Sequence, residues 1–417
     1  MNNISRRRFV TLFSAAAAGA ALAPRAFAAR AETSSKKPGR FEVSASLYAW
    51  DLHDEGVERV LDNLELAAVN SVYLLGIMHP EARPVGGGTF PHNPVRKTWV
   101  AEDARCYWHP TARRYGRVKP RLSDHTWLND TDWLTTLSDA ARKRGMKVGV
   151  EFSHALIDRE RMAGELADLS QLDLHGKPVA GAAIKWLQAP CPNHPETIEY
   201  LLALVTDTVA DHGVDYVQSC MMTFDPATPE RGGGCFCQHC RKAAPDFGVD
   251  LEKVQAALLA DVHDSAALAS WNEFRYASVA RLYQKLHSRM HELRATSDLR
   301  YNLHSHSYAY YGVNPPRLRP FFDSARVLDY TEQNGDPALM AKKRPWLDEA
   351  RQLLGPDMPL LPSVGVRMKA TPELVRQGVK IVTDSGAVGI TLGHYDGASL
   401  ELLRAVREGL VTAGVVS

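Results

Sequence analysis

Apolar positions along this chain recur at two alternating periods. From Phe41 onward, short β-rich runs alternate with stretches whose apolar residues return every three or four positions. Val43 to Trp50 and Ser71 to Leu75 read as strands. Between them, Val57 to Ala68 reads as a helix with Val57, Val60, Leu61 and Leu64 on one face. A helix over Asp132 to Lys143 precedes a strand over Lys147 to Phe152, and a helix over Pro195 to Ala210 precedes a strand over Val214 to Met221. A long helical stretch from about Ala267 to Leu293 leads into a strand at Tyr301 to His306. Three more strands follow, at Arg326 to Thr331, Pro359 to Val366 and Ala387 to Leu392, each with a helical segment after it.

Eight strand-helix units spaced for right-handed parallel crossovers predict an α/β fold, a (β/α)8 TIM barrel, rather than an open sheet. No G-x-G-x-x-G follows any strand, which argues against dinucleotide binding. Gly86-Gly87-Gly88 lies between Pro84 and Pro91 with no Lys-Ser/Thr after it, and reads as a flexible loop rather than a phosphate cradle. Two connections are far longer than the usual two to six residues. They follow strands two and three, from about Met78 to Asp132 and from His154 to Pro195.

Charge separates the two ends of the chain. The 417 residues carry 49 basic and 48 acidic side chains, a formal +1. Ser5-Arg6-Arg7-Arg8-Phe9 precedes an apolar run from Val10 to Ala23, and Ala26-Phe27-Ala28 has the small-x-small pattern of a cleavage site. That is the pattern of a twin-arginine signal over residues 1–28. It predicts passage through the Tat translocase, a periplasmic or secreted location and no lasting membrane anchor. The run is shorter than the roughly 20 residues a spanning helix needs. A flexible linker over 29–40 and a single barrel domain over 41–417 complete the expected organisation. Cleavage removes four arginines and no acids, so the remainder carries 45 − 48 = −3. Such a balance offers no basic face to nucleic acid.

In a barrel, chemistry sits at the C-terminal ends of the strands. The carboxylates there are Glu151, Asp225, Glu332 and Asp396, with Glu332 and Asp225 the first pair to test as a glycosidase acid and its partner. Candidate sugar contacts are Trp50, His79, Trp108, His154, His304, His306, Arg367, His394 and Tyr395. The first long loop adds Trp99, Tyr107, Tyr115 and Trp127 among arginines. Rings beside guanidinium groups suit a carbohydrate cleft, and they equally suit the loop's own small core.

Six cysteines are too few for a disulfide scaffold, but three are grouped as Cys235-x-Cys237-x-x-Cys240. Three thiolates do not complete a tetrahedral site. Cys106, Cys191 and Cys220 are the candidates for a fourth. Cys191, just before the helix that feeds strand four, is favoured because its loop emerges at the same barrel face as the cluster.

From Cys191 to Phe247 this arrangement resembles the zinc site of glycoside hydrolase family 42 β-galactosidases. The resemblance implies a structural zinc on Cys191, Cys235, Cys237 and Cys240. It does not carry over the chemistry, because Met221-Met222 stands where the family's strand-four Asn-Glu pair falls, and Leu361 to Arg367 on strand seven holds no carboxylate. The expectation is therefore an exported glycoside-hydrolase-like barrel acting on a poly- or oligosaccharide through another carboxylate pair. Two alternatives stand beside it: a metal-dependent hydrolase or lyase built on the barrel histidines, and a sugar-binding barrel without turnover.

Overall fold

The computed structural model describes residues 40–78, 89–153, 156–179, 189–220, 223–225, 227–304 and 308–417. Eight parallel strands form the centre: β1 (Glu42–Leu47), β2 (Ser71–Ile77), β3 (Lys147–Phe152), β4 (Tyr216–Ser219), β5 (Asp298–His304), β6 (Ser324–Leu328), β7 (Ser363–Val364) and β8 (Gly389–Leu392). Each pairs with its neighbour in chain order except β6 and β7, which meet only through the residues just before β7, and β8 returns to β1 through Glu42 against Gly389. The ring closes where Leu361 N–H donates to Ala325 O at 2.8 Å and Ala325 N–H to Pro359 O at 2.9 Å. The strand expected over Pro359 to Val366 is thus split: its first part pairs with β6, and Pro362, which has no N–H to donate, marks the switch to β8.

The helices form the outer layer. Asp132 caps Trp133–Lys143 by accepting from Thr135 N–H at 2.8 Å, and Ser399 caps Leu400–Thr412 by accepting from Leu402 N–H at 3.2 Å. Val60, Leu61 and Leu64 of Val57–Glu65 are buried against the sheet, as their spacing predicts. The first strand stops three residues earlier than expected. Asp51 Oδ2 accepts from Tyr48 N–H at 2.9 Å and starts the short helix Ala49–Glu55, so Trp50 turns into the core. Among the described residues no helix is long and apolar enough to cross a membrane.

Alternation along the strands makes the barrel interior polar. At the N-terminal end Arg300 binds Glu42 through both nitrogens, at 2.7 and 3.2 Å, and lies 3.6 Å over the Tyr216 ring. Burial alone would raise the Glu42 carboxyl; the Arg300 and Lys147 charges bring it down to about 2. Gly149 leaves the room that Tyr216 fills, since a Cβ there would collide with the ring.

Candidate functional site

At the other end of the barrel the inward positions of the strands enclose a cavity of about 140 Å³. Pockets that enclose a whole drug-sized ligand run to roughly 300–1,000 Å³. This one is smaller than that. Glu151 on β3 lines it. Three donors converge on its carboxylate: the Gln218 amide from β4, the Asn302 amide from β5 at 3.3 Å, and Arg326 Nη1 from β6 at 3.1 Å. Arg326 also donates to the Tyr330 hydroxyl. The rest of the wall includes Tyr48, Cys220, His304, Arg367 and His394.

Electrostatics distinguishes these groups. Burial and then the nearby Arg326 charge push the His304 imidazole down to about 4, so it is neutral at pH 7, and its Nε2 lies 3.5 Å from Cys220 Sγ. His394 Nδ1 is 3.0 Å from Ser46 Oγ, and its ring stacks beside Tyr48 at 5.3 Å. Arg367 Nη1 approaches Asp396 at 4.0 Å. Asp396 lies behind that arginine, fully buried, beside Asp51, whose carboxyl is raised first by burial and then by the Asp396 charge.

The sequence-derived candidates divide clearly. Glu151, His304, Arg367 and His394 line the cavity. His79, His154, His306, Met221 and Met222 lie outside the described residues. Glu332 is fully buried outside the barrel, where Lys343 Nζ pairs with it at 2.9 Å and Gly365 N–H donates to it at 2.9 Å. A Cβ on Gly378 would collide with its carboxylate, so helix Pro372–Thr383 covers it. Burial raises its pKa and Lys343 opposes this in part. Asp225 accepts from Ala189 N–H at 3.0 Å, joining two loops, and burial pushes it up to about 7. Glu332, Asp225 and Asp396 do not line the cavity, so the acid pair expected from Glu332 and Asp225 is not assembled there.

The aromatic expectations are corrected in the same way. Trp108 is fully buried, donating to Asp207 at 3.0 Å. Tyr395 receives a hydrogen bond from Asn63 at 2.8 Å and donates to Glu55 at 2.9 Å. Trp50 stacks on Tyr48 with ring centroids 4.2 Å apart and packs edge-on to Tyr107 at 5.9 Å. These rings belong to the main hydrophobic core, and Trp99 and Trp127 of the long loop pack against it under Arg96. Its arginines are paired rather than free: Arg105 with Asp124, Arg114 with Asp211, and Arg117 with Asp168 and Glu196. A larger concavity of about 430 Å³ is lined by some of the same arginines and by helix Pro195–Thr206, on the outside of the barrel. Sequence reasoning missed Arg326, Asn302, Tyr330 and Tyr48. Their signal was parity, since each keeps the inward phase of its strand.

The four cysteines converge as their spacing predicts. Cys191 Sγ is 3.5 Å from both Cys237 and Cys240, all four sulfurs lie within 4.8 Å of one another, and all four side chains are buried. A disulfide needs about 2.05 Å, whereas donors around a metal with bonds of about 2.3 Å sit roughly 3.8 Å apart. Leu172 N–H and Asn193 Nδ2 each point at a sulfur at 3.4 Å, on Cys235 and Cys240. Hydrogen bonds from Cys191, Cys235 and Cys240 pull the Cys237 thiol far down, while burial pushes Cys191 and Cys240 up. This donor set fits a metal ion.

No protein-family model matches the chain, and no curated protein matches it. Solved structures do. The GH42 β-galactosidase Gan42B of G. stearothermophilus matches at TM-score 0.58 and 12% identity over 90% of this chain and 57% of its own. The cold-adapted β-galactosidase of Rahnella sp. R3 gives 0.58 and 12% over 91% and 56%. The β-amylase catalytic domain of Paenibacillus polymyxa gives 0.52 and 11% over 89% and 98%. The chain spans little more than half the length of those β-galactosidases. The shared feature is the fold, a glycoside-hydrolase-like (β/α)8 barrel.

Proposed function

We propose that the chain is an exported carbohydrate-active enzyme of the glycoside-hydrolase kind, working at the mouth cavity with Glu151 as its catalytic carboxylate and with a structural zinc on Cys191, Cys235, Cys237 and Cys240. One observation carries this reading: among the described residues Glu151 is the carboxylate that reaches the cavity, and Arg326, Gln218 and Asn302 fix its direction. A carboxylate so placed is suited to attack an anomeric carbon or to activate water. Neutral His304, together with the His394 ring and the Tyr330 hydroxyl, suits hydrogen bonding to sugar hydroxyls. Arg367 suits a more acidic substituent. Glycosidases that use one protein carboxylate with help from the substrate are known exceptions to the two-carboxylate rule. Zinc on four thiolates has no open position, so its part is to hold the loop around Cys235 against the one around Cys191.

That Glu151 is the single carboxylate at the cavity among the described residues also favours a second reading, a barrel that binds sugar without turning it over. Incubating the protein with a broad glycan panel separates the two. Release of reducing ends from at least one glycan is expected, and saturable binding of sugars with no release across the panel would establish the second reading instead. Metal analysis after gentle purification is expected to find zinc in the cysteine site, and its absence there would remove that assignment. Export is proposed from Ser5 to Ala28 alone. Mass determination of periplasmic material should give a chain beginning at Ala29.

A further inference from the structure

We propose that His287, His291 and Asp323 form a second metal site, for a borderline divalent cation such as Zn²⁺, on the face of the barrel opposite the cavity. His287 and His291 are four residues apart near the end of helix Ser265–Leu293, so they share one face a single turn apart, with ring centroids 4.2 Å from each other. That helix runs into the N-terminal end of β5. Asp323 immediately precedes β6, at the same end of the barrel.

The carboxylate is fixed before any ion is considered. Asp323 Oδ2 accepts from Leu299 N–H at 2.9 Å, and Asp323 N–H donates to Leu299 O at 3.0 Å. Towards it point the Nε2 atoms of both histidines. His291 Nε2 is 3.1 Å from both carboxylate oxygens, and His287 Nε2 is 3.4 Å from Oδ1. An N–H···O bond prefers about 2.9–3.0 Å, so the outer contact is long for a direct bond. Donors around a tetrahedral centre with bonds of about 2.0–2.1 Å are separated by roughly 3.3–3.4 Å, close to what is found.

The chemistry of the donors selects the ion. Two imidazoles and one carboxylate suit Zn²⁺, Ni²⁺, Co²⁺ or Cu²⁺, whereas Mg²⁺ and Ca²⁺ take oxygen ligands. Three protein donors leave a fourth position for water. All three side chains are partly exposed, at 25%, 32% and 29%, so an ion has access. The carbonyl end of the helix adds a partial negative charge. A bound ion would tie the end of this helix to the start of β6, and binding to the folded state alone raises stability with ion concentration.

The test titrates the protein, with its cysteine site already filled, with ZnCl₂ while bound metal and thermal unfolding are followed. The wild type is expected to take one further equivalent, removable by a mild chelator while the thiolate-bound ion stays, and to unfold at a higher temperature as zinc is added. His287→Gln/His291→Gln leaves the Asp323 backbone bonds in place and should lose both effects; His263→Gln, on an exposed histidine elsewhere, should lose neither. Co²⁺ taken up there should show visible ligand-field bands without added thiolate-to-cobalt charge transfer. No additional equivalent at micromolar free zinc, or equal uptake by the double variant, would overturn the proposal.

Discussion

Glu151 and Glu332 both follow or end a barrel strand, both are buried and both pair with a cation, yet one faces the cavity and the other is sealed outside the barrel. The difference is a matter of phase. On β6 and just after it, Arg326, Leu328 and Tyr330 keep the inward alternation, and all three line the cavity. Glu332 holds the same parity but lies beyond the strand, in the 3₁₀ turn Thr331–Asn334. That turn swings it outward under Pro372–Thr383. Glu151 lies within β3, where the alternation still holds. Burial and a counter-ion therefore do not mark a carboxylate that reaches the cavity; its side of the sheet does.

The outer pair should behave as structure alone. Lys343→Met leaves Glu332 buried without its cation and is expected to cost about 3–5 kcal/mol of stability, read by chemical denaturation, with glycan turnover or binding by the folded fraction unchanged. Replacing both partners, Lys343→Met with Glu332→Leu, should recover much of that loss. A selective loss of function in the folded Lys343→Met protein would break the contrast between the two sites.

Asp225 sharpens the comparison, because it is buried and no cation among the described residues is in contact with it. Its folded-state pKa of about 7 exceeds its ordinary value of 3.8. The folded state thus holds its proton more tightly than the unfolded chain, and this contribution is full below about pH 4 and lost as pH rises through 7. The cost at high pH reaches about 4 kcal/mol. Asp225→Asn should flatten the decline in stability between pH 4 and 8, and an unchanged slope would refute the assignment. A smaller effect is expected at Tyr395. Tyr395→Phe removes the hydrogen bonds to Asn63 and Glu55, costing about 1–2 kcal/mol, and glycan binding should not change. Weakened binding would return Tyr395 to the cavity wall.

How much of this was legible in the sequence follows from the same phase argument. The eight units were readable because apolar periodicity reports burial, and β3 appears over Lys147–Phe152 as expected. The cysteine quartet was readable because thiolates that close together have few other uses. What was not readable is the direction of a polar side chain after its strand ends. Trp50 was expected on a strand and turned inward when Asp51 capped a helix; Glu332 turned outward in a 3₁₀ turn. The arginines of the long loop looked like sugar ligands, but their partners Asp168, Glu196 and Asp211 lie far away in sequence.

The most direct measurement sets Glu151→Gln and Glu332→Gln beside the wild type on whichever glycan the panel identifies, with folding checked by circular dichroism and metal content. The account predicts that Glu151→Gln stays folded and loses turnover by at least about 10³-fold, while folded Glu332→Gln keeps the wild-type rate. Turnover preserved in Glu151→Gln, or lost selectively in folded Glu332→Gln, would contradict it.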